Sequence, residues 1–533
     1  MKITIELDLN GRRVVFHINS LCQYHERDVE QDDGGAAQIN MIIEETSDNE
    51  ELMTADASEA GQPCIAGAFN IGAQLTDDQR RQLEQLLGRY GDVFTDTPGT
   101  THLNEHVIKV TDEVPCYQQA YRVPEAMRDA VEEELNKMLH NGIIQYDYKT
   151  KYNSPLVIIK KPGGGIRLVN NFVNLNRKTV NDFYIMTNPN ELLNRAAGFQ
   201  YISKIDLQCA FFQTPLSPQS QHYTGFQTFL GPFSYRMMPM GLKGSPATFQ
   251  RLMDQVLRGM HRHSGTLLDD TIVFSASFSD HLDHLKQVLD RLRQAGLTAK
   301  KEKCSFASNN IKIFGHLVHN GRIYPDLDKV AAIAACKAPK TKRQLKSFLG
   351  LTSYFRDHIP RYATIAFPLT EQLKGAKPDR LVWTDEQQTA FDALRTALTT
   401  KPVLYPPDIT KPFKLLTDSS KIALSAVLVQ YHEDTKSNHA IAYASRKLLE
   451  RERRYPIIEQ ELLAIVFGLQ KFRHIIYGCV INVYTDHRPL AWLNSIVKNS
   501  PRLARWTLVL QDYNVTTTYV PGNEQIADCL TRL

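Results

Sequence analysis

The sequence of 533 residues lacks the features that mark secreted and membrane proteins. Its eight cysteines are scattered without a Cys-x-x-Cys pair, so neither a disulfide framework nor a zinc knuckle is indicated. No apolar run reaches the ~18–20 residues that span a bilayer, and the first residues lack the apolar core of a signal peptide. These absences predict a reduced, soluble and intracellular protein that has no membrane partner.

The overall composition is that of an ordinary globular protein. Hydrophobic residues make up 42% and charged residues 23%, which rules out a wholly disordered or fibrous chain. No internal repeat or low-complexity tract is present. The length predicts two to four folded units of about 100–200 residues each.

Charge is distributed unevenly along the chain. Residues 1–70 hold 14 Asp and Glu against 4 Lys and Arg, whereas the remainder holds 58 basic and 44 acidic residues. A basic body favours a polyanionic partner, although an ordinary soluble surface explains the same numbers. Within the acidic leader, the segment 29–63 is poor in aromatic residues, and we expect it to be flexible.

Two helices are predicted before residue 150. Leucines recur at near-helical spacing over 75–89, after the possible cap Thr76. A second helix is predicted over 124–141, with Pro124 near its start and Gly142 just past its end. From residue 154 onward, strand-like runs alternate with helical ones.

Carboxylates interrupt two apolar strands in the middle of the chain. Asp206 ends one of them, and Asp269 and Asp270 lie between two apolar runs, at the predicted tip of a hairpin. Carboxylates on partly buried strands repel each other unless a cation neutralises them. Two Mg²⁺ ions about 3.5–4 Å apart would do so and would favour phosphoryl transfer. An exposed turn that happens to hold two aspartates is the alternative.

The stretch from Ser154 to Gly321 resembles the polymerase domain of reverse transcriptases, and is most similar to gypsy-type LTR retrotransposons. Five blocks match in the family's order, and such an ordered set is not expected by chance. The matching blocks are SPLVIIKKPGGGIRLVNNFVNLN, FQYISKIDLQCAFFQTPL, YRMMPMGLKGSPATFQRLMDQVL, LLDDTIVFS and IFGHLVHNGR.

The resemblance implies a role for each matching residue, although each one alone has an ordinary structural explanation. Asp206, Asp269 and Asp270 would be the catalytic, metal-binding triad. The expected nucleotide-binding residues are Lys161 and Arg167 for the triphosphate, Phe211 against a ribose 2′-OH, and Met240 and Lys243 in the pocket. The expected primer-binding residues are Phe314, Gly315 and His316.

The sequence departs from the family's pattern at two positions near these blocks. Leu267 replaces the usual Tyr two positions before the aspartate pair, which bears on primer positioning and rate but not on the metal site. Asn171 replaces the usual acidic residue in the strand after Arg167.

A second set of carboxylates lies beyond residue 408. Asp418, Glu461, Asp486 and Asp528 match the D…E…D…D pattern of the RNase H fold, and the sequence around them resembles gypsy-type RNase H domains. By that resemblance the four residues hold two Mg²⁺ ions and cleave the RNA strand of a hybrid. A glutamate at a helix start also interacts favourably with the helix dipole, so Glu461 alone is ambiguous. The histidine-bearing loop that many RNases H carry before the last aspartate is missing here.

The resemblance implies an α/β, or α+β multidomain, architecture. It consists of a right-hand polymerase fold with fingers, palm and thumb, a connection and an RNase H-like domain. In the connection, a basic helix with aromatic residues fits either a nucleic-acid contact or a packed amphipathic helix. The expected domains are an acidic, partly disordered leader at 1–74, a helical segment leading into the fingers at 75–150, the reverse transcriptase at 151–324, the connection at 325–408 and the RNase H-like domain at 409–533.

The expected function is RNA-directed DNA synthesis coupled to RNase H cleavage. Mg²⁺ is the expected cofactor, two ions per site, with Mn²⁺ as a possible substitute. The expected partners are an RNA template, a DNA primer, an RNA–DNA hybrid and dNTPs, together with a protease, an integrase and a Gag protein absent from this chain. The expected place of action is the cytoplasm, in a retroelement particle. The alternatives are a domesticated copy that binds without catalysis, and a DNA-templated polymerase.

Overall fold

The structure is a computed structural model. It describes residues 69–161, 164–375, 381–400, 402–433, 435–485 and 501–520, together with the backbone of three strands before residue 43. The chain folds as two compact units, Met1–Ile311 and Lys312–Leu533. In the described part of the chain, no helix is both long and apolar enough to cross a lipid bilayer.

The first unit mixes helices and strands. Its described helices are α1 (Asp77–Gly88), α2 (Arg128–His140), α3 (Val173–Lys178), α4 (Pro189–Ala197), α5 (Ser245–Val256) and α6 (Phe278–Gln294). Its described strands are β1 (Thr4–Leu9), β2 (Arg12–His17), β3 (Ile39–Ile42), β4 (Asn70–Ile71), β5 (Ile144–Tyr146), β6 (Leu156–Lys160), β7 (Ile166–Asn170), β8 (Tyr201–Asp206), β9 (Phe226–Thr228), β10 (Gly231–Tyr235), β11 (Ser264–Leu267), β12 (Asp270–Ser275) and β13 (Ser305–Ser308).

A five-stranded sheet in the order β11-β12-β8-β13-β4 organises the first unit, and we name it the central sheet. Buried side chains from α1, α5 and α6 form one core with this sheet, including Leu83, Phe249 and Leu289. A second core gathers side chains of α2, the β6–β7 hairpin and β10, including Leu135, Leu168 and Phe233. Strand β8, which ends at Asp206, therefore lies beside β12, which begins at Asp270, in a well-packed sheet.

The predicted helices before residue 150 are confirmed. Helix α1 begins with Thr76 as N-cap, and Thr76 and Gln79 form a reciprocal capping box. The second predicted helix starts as a short 3₁₀ turn, Glu125–Met127, and continues as α2. Gly142 follows it with φ of 66°, a backbone conformation that glycine adopts without steric cost.

The leader contains more regular structure than the sequence suggests. Strand β3 lies inside the segment expected to be flexible, and it pairs with β1 in a sheet of order β2-β1-β3. The run INMI carries two β-branched residues, which favour strand pairing, and the expectation that 29–63 is flexible stays a prediction. The rest of 29–63 lies outside the described residues. Strand β4, near the end of the leader, pairs in parallel with β13 of the central sheet.

The second unit begins with a small sheet and a set of packed helices. Strands β14 (Asn310–Ile313), β15 (His316–His319) and β16 (Arg322–Pro325) form the sheet. The helices that follow are α7 (Leu327–Ala335), α8 (Lys342–Tyr354), α9 (Tyr362–Ile365), α10 (Phe367–Glu371) and α11 (Asp385–Thr399). Phe348 and Phe355 lie in their common core, only 3% and 1% exposed, so the packed-helix interpretation is confirmed for these two aromatics.

A second five-stranded sheet, in the order β19-β18-β17-β20-β21, forms the remainder. Strand β17 pairs antiparallel with β18 and parallel with β20. Its strands are β17 (Phe413–Ser419), β18 (Ala423–His432), β19 (Ser437–Lys447), β20 (Val480–Thr485) and β21 (Asn514–Tyr519), and its helices are α12 (Ile457–Lys471), α13 (Arg473–Ile476) and α14 (Pro501–Gln511).

Candidate active sites

The central sheet brings the three aspartates of the first set together. Asp206 is the last residue of β8 and Asp270 is the first residue of β12, and the two are direct register partners across the antiparallel pair. Asp269 lies in the two-residue turn between β11 and β12, where Leu267 and Asp270 are paired. We name Leu267–Asp270 the aspartate turn. Asp206 and Asp270, 64 positions apart in the sequence, therefore meet at one end of two adjacent strands.

Burial and mutual repulsion make charge costly at this end of the sheet. Burial raises the pKa of Asp206 to about 6; Lys303 lowers it, and the charges of Asp269 and Asp270 raise it further. Burial also raises the pKa of Asp270, while the ammonium of Lys204 lowers it. The side chains of Asp206 and Asp270 are only 15% and 19% exposed. Both carboxylates thus depend on nearby positive charge to stay ionised.

Two lysines supply positive charge in this structure. Lys204 Nζ lies 3.0 Å from an oxygen of Asp270, and Lys303 Nζ lies 3.8 Å from an oxygen of Asp206. Sequence reasoning missed both lysines. A signal existed for Lys204, because residues two apart on a strand share a face, and Lys204 precedes Asp206 by two. Lys303 is distant in sequence and carries no such signal.

The residues present at this end of the sheet fit a hard divalent cation. Mg²⁺ prefers carboxylate oxygens, and the site offers partly buried carboxylates on facing strands. Within the described ranges, however, no group of three or more Asp, Glu, His or Cys side chains is close enough together to hold a metal ion. The expectation of two Mg²⁺ ions at each site stays a prediction.

The expected triphosphate ligands lie on the β6–β7 hairpin. Arg167 is a register partner of Ile159, and Lys161 follows the end of β6; both side chains are exposed. Their charges act near Asp206, as the neighbouring Cys209 shows. Burial raises the pKa of the Cys209 thiol, and the charges of Lys303, Lys161 and Arg167 lower it. Cys209 itself is only three residues after Asp206.

The remaining nucleotide-binding candidates sit beside the central sheet. Phe211 lies in the 3₁₀ helix Ala210–Gln213 and packs on Phe249 of α5, with ring centroids 5.5 Å apart. Met240 and Lys243 lie in the loop before α5, and both are partly buried. Lys243 Nζ donates a hydrogen bond of 2.8 Å to the carbonyl of Thr179, so in this structure it connects two loops.

The two departures from the family pattern have local explanations. Asn171 Oδ1 accepts a hydrogen bond of 3.1 Å from the backbone N–H of Val173, a local side-chain contact in the turn before α3. Leu267 is partly buried and is the register partner of Asp270. Neither residue interrupts the strand pairing that holds the aspartates.

The expected primer-binding residues form the turn between β14 and β15 in the second unit. Phe314 has φ of 47° and Gly315 has φ of 70°, so the backbone reverses sharply here. The carbonyl of Phe314 accepts hydrogen bonds from the hydroxyl of Tyr354 and from Nδ1 of His316, the latter at 3.1 Å. Burial lowers the pKa of His316 to about 4, so this ring is neutral at physiological pH.

The structure describes two of the four carboxylates in the second set. Asp418 lies on β17, and Glu461 lies in the second turn of α12, which packs across β17 and β18. Glu461 is buried, at 6% exposed, whereas the side chain of Asp418 is 44% exposed. Strand β20 ends one residue before Asp486, but Asp486 and Asp528 lie outside the described residues.

A close approach of helix and sheet positions Glu461. At Gly468, two helical turns after Glu461, an added Cβ would lie 3.1 Å from the side chains of Ala426 and Leu415. A side chain at this position would be tightly packed against the sheet, so glycine favours the close approach of α12 to β17 and β18. Residues seven apart share a helix face, so this contact also directs Glu461 toward the sheet.

Asp418 has an ion-pair partner. Arg361 Nη2 lies 3.0 Å from Asp418 Oδ2. Arg361 precedes α9 with φ of 52°, an uncommon conformation for an arginine. Sequence reasoning missed this residue, since nothing local links it to a strand 57 positions later.

Comparison with known proteins identifies both regions. Residues 159–318 match the family of reverse transcriptases (RNA-dependent DNA polymerases), and residues 408–513 match the RNase H-like domain found in reverse transcriptases. The chain combines a reverse transcriptase domain with an RNase H-like domain. The resemblance drawn from the motifs is confirmed.

The relatives of these two domains are Pol polyproteins of retrotransposons. The chain is 35% identical over 470 residues to the retrovirus-related Pol polyprotein from transposon 297 of Drosophila melanogaster, covering 86% of this chain and 44% of that protein. It is 32% identical over 480 residues to the Pol polyprotein from transposon gypsy of the same species, covering 86% and 46%. The chain therefore spans less than half the length of these relatives.

A solved structure confirms the fold. The foamy viral protease-reverse transcriptase, in a complex with double-stranded DNA, superposes with a TM-score of 0.73 at 21% identity, covering 84% of this chain and 95% of that one. The expected fold class, a right-hand polymerase with an RNase H-like domain, is therefore correct.

Proposed function

We propose that the chain is an RNA-directed DNA polymerase that also cleaves the RNA strand of RNA–DNA hybrids, in the replication of an LTR retrotransposon. The observation that carries the proposal is the pairing of Asp206 with Asp270 across two strands, with Asp269 in the adjoining turn. This arrangement lies inside the segment that matches reverse transcriptases. A decayed element would be expected to lose such carboxylates, since burial makes them costly.

In the polymerase reaction, the chain's own residues bind and orient the substrates. Lys161 and Arg167 bind the triphosphate of the incoming dNTP, Lys as a point charge and Arg as a fork for two oxygens. Phe211 excludes a ribose 2′-OH, and Met240 and Lys243 line the pocket. The primer 3′-OH then attacks the α-phosphate in line, the bond between the α-phosphate and its bridging oxygen breaks, pyrophosphate leaves and the hydroxyl proton passes to solvent. Phe314, Gly315 and His316 hold the primer strand.

Mg²⁺, or Mn²⁺ in its place, would stabilise the charge on the attacking and leaving oxygens at both sites. Asp206, Asp269 and Asp270 would hold it for DNA synthesis, and Asp418, Glu461, Asp486 and Asp528 would hold it for hydrolysis of the template RNA. The duplex would be bound mostly through phosphates and sugars, as expected for A-form hybrids. We place this activity in the cytoplasm, in a particle that also contains Gag, protease and integrase.

The experiment is dTTP incorporation on poly(rA)·oligo(dT) with Mg²⁺ or Mn²⁺, run beside an Asp269→Asn variant. We expect incorporation by the natural chain and none by the variant. Folded protein that fails to incorporate dTTP with either ion would overturn the polymerase proposal. Cleavage of the RNA in a preformed hybrid is measured separately, because the second set of carboxylates can act without the first.

A further inference from the structure

The aspartate turn is held in an uncommon backbone conformation. Leu268 has φ of 54°, a region that L-residues other than Asn and Asp rarely adopt. The turn has two residues, and Asp269 directly follows Leu268. A change in the backbone at Leu268 would therefore move the carboxylate of Asp269 and the start of β12. Something outside the turn must favour this conformation.

One fully buried side chain of helix α5 does so. Gln250 is 0% exposed, and its Oε1 accepts a hydrogen bond of 3.1 Å from the backbone N–H of Leu268. Its Nε2 lies 3.3 Å from the carbonyl of Thr266, on the strand that enters the turn. Gln250 thus binds the backbone on both sides of Leu267.

A second contact completes the arrangement from within the hairpin. Thr266, which is buried, donates from its hydroxyl toward the carbonyls of Leu268 and Asp270, at 3.2 and 3.3 Å. The N–H and the carbonyl of Leu268 are therefore both bound by buried side chains. Backbone groups that find partners only in one conformation stabilise that conformation.

Gln250 is itself fixed in place. Its Nε2 lies 2.9 Å from Asp254 Oδ1, one helical turn later, and 3.1 Å from Thr187 Oγ1. The other oxygen of Asp254 accepts a hydrogen bond of 2.8 Å from the hydroxyl of Tyr184. The carboxylate of Asp254 can only accept, so it requires the –NH₂ group of Gln250 on its side, and this orientation keeps Oε1 directed at the N–H of Leu268.

We propose that Gln250 is a positioning residue for DNA synthesis, holding the aspartate turn so that Asp269 and Asp270 lie beside Asp206. The inference rests on the proposed polymerase function. It adds a residue that touches neither the substrate nor the carboxylates of Asp206, Asp269 and Asp270. It predicts that the loss of Gln250 lowers the rate of nucleotide addition without weakening substrate binding.

The test compares Gln250→Met with Gln430→Met in the full chain. Gln430 is a matched control, because it is also 0% exposed and its amide binds the backbone of Asp408, but it lies in β18 of the second unit. Amide hydrogen exchange is measured first, in buffer without metal. We expect faster exchange in peptides covering 264–271 for Gln250→Met alone, with no change in β8 or in α6.

Single-nucleotide incorporation then separates kcat from KM. We expect Gln250→Met to lower kcat by roughly 10- to 100-fold, as a small misplacement of a reacting group does, with KM for dTTP within about twofold. Gln430→Met should keep the natural kcat. A second pair of variants leaves α5 intact: Thr266→Val should repeat the loss of kcat, and Thr266→Ser, which keeps the hydroxyl, should retain the rate.

The outcomes judge the two proposals separately. Exchange at 264–271 that is unchanged in Gln250→Met would overturn the role of Gln250, and so would faster exchange spread over the whole central sheet. A rise in KM with kcat unchanged would also overturn it. If the natural chain shows no incorporation at all, the polymerase proposal fails, while the exchange measurement still decides whether Gln250 holds the turn.

Discussion

The two carboxylate sites differ in how their charge is balanced. In the reverse transcriptase domain, Asp206 and Asp270 are largely buried on facing strands, and burial raises the pKa of both. In the RNase H-like domain, Asp418 is nearly half exposed and is paired with Arg361 at 3.0 Å. At the first site burial outweighs the nearby Lys204 and Lys303, so charge is destabilised overall, whereas Asp418 has both an arginine partner and contact with water.

The two sites are also assembled by different features of the fold. The central sheet forces carboxylates together, so a bound cation would relieve an existing cost. The RNase H-like domain instead relies on the close packing of α12 against β17 to bring Glu461 toward the strand that carries Asp418. The first site depends on strand register and the second on helix packing.

The largest expected effect comes from removing the buried charge of the first site. Asp206→Asn should lower dTTP incorporation by at least about 10³-fold, because a charged group at the reacting centre is lost. The same variant should be more stable than the natural chain in metal-free buffer at pH 7.5, by about 1–3 kcal/mol, since burial disfavours the charge it removes. Urea unfolding measures the stability.

Asp418→Asn provides the contrast. Because it removes one partner of a half-exposed ion pair, it should lower stability by no more than ~1 kcal/mol. A gain in stability from Asp418→Asn, or a loss from Asp206→Asn, would contradict the difference between the two sites.

A smaller effect should follow from disturbing the helix packing of the second site. Gly468→Val should destabilise the RNase H-like domain by ~1–3 kcal/mol, because its side chain would overlap Ala426 and Leu415. Hybrid cleavage should fall while dTTP incorporation is retained. Gly350→Val is the control, because a Cβ at this helical glycine meets no atom within 4 Å. Equal losses in both variants would show that crowding against Ala426 and Leu415 is not the cause.

Acid should destabilise the central sheet and helix α6 through a residue outside both sites. His281 of α6 is bonded to Ser203 and Ser275, and burial lowers its pKa from 6.5 to about 3. The unfolded chain therefore takes up the proton first, so stability is complete above pH 6.5 and is lost as the pH falls from 6.5 toward 3.

Between pH 7.5 and 5.5, the free energy of unfolding of the natural chain should fall by ~1.4 kcal/mol more than that of His281→Gln. Urea unfolding at the two pH values measures the difference. Parallel pH dependence in the two proteins would show that His281 is not the group responsible.

The smallest effect should come from Arg361. If Arg361 competes with a cation for Asp418, Arg361→Gln should lower the Mg²⁺ concentration that half-saturates hybrid cleavage, by up to about fivefold, given the modest strength of exposed ion pairs. Arg395→Gln removes a comparable ion pair, with Asp392, in helix α11 and should leave the Mg²⁺ dependence unchanged. A higher Mg²⁺ requirement in Arg361→Gln would instead show that Arg361 assists the site.

The sequence alone predicted the site residues that interrupt or end an apolar strand. Asp206 and Asp270 stood out because charge is unexpected in a buried strand, and Thr76 stood out as a helix cap. Family resemblance supplied the fold and placed the RNase H-like domain. The roles of Lys161 and Phe211, as of the other substrate contacts, stay predictions.

The residues that sequence reasoning missed all act across long distances in the chain. Lys303 reaches Asp206, Arg361 reaches Asp418, and Gln250 reaches the backbone of Leu268. No local pattern reveals such contacts, because each is an ordinary residue on its own helix or loop. The conformation of Leu268 was equally hidden, since leucine is not a residue that predicts positive φ.

The most direct test of the account is a crossed assay on one hybrid substrate, in which primer extension and RNA cleavage are measured together for the natural chain, Asp206→Asn and Asp418→Asn. We expect Asp206→Asn to lose extension and keep cleavage, and Asp418→Asn to lose cleavage and keep extension. If either variant loses both activities while remaining folded, or if neither loses any, the assignment of two independent carboxylate sites is contradicted.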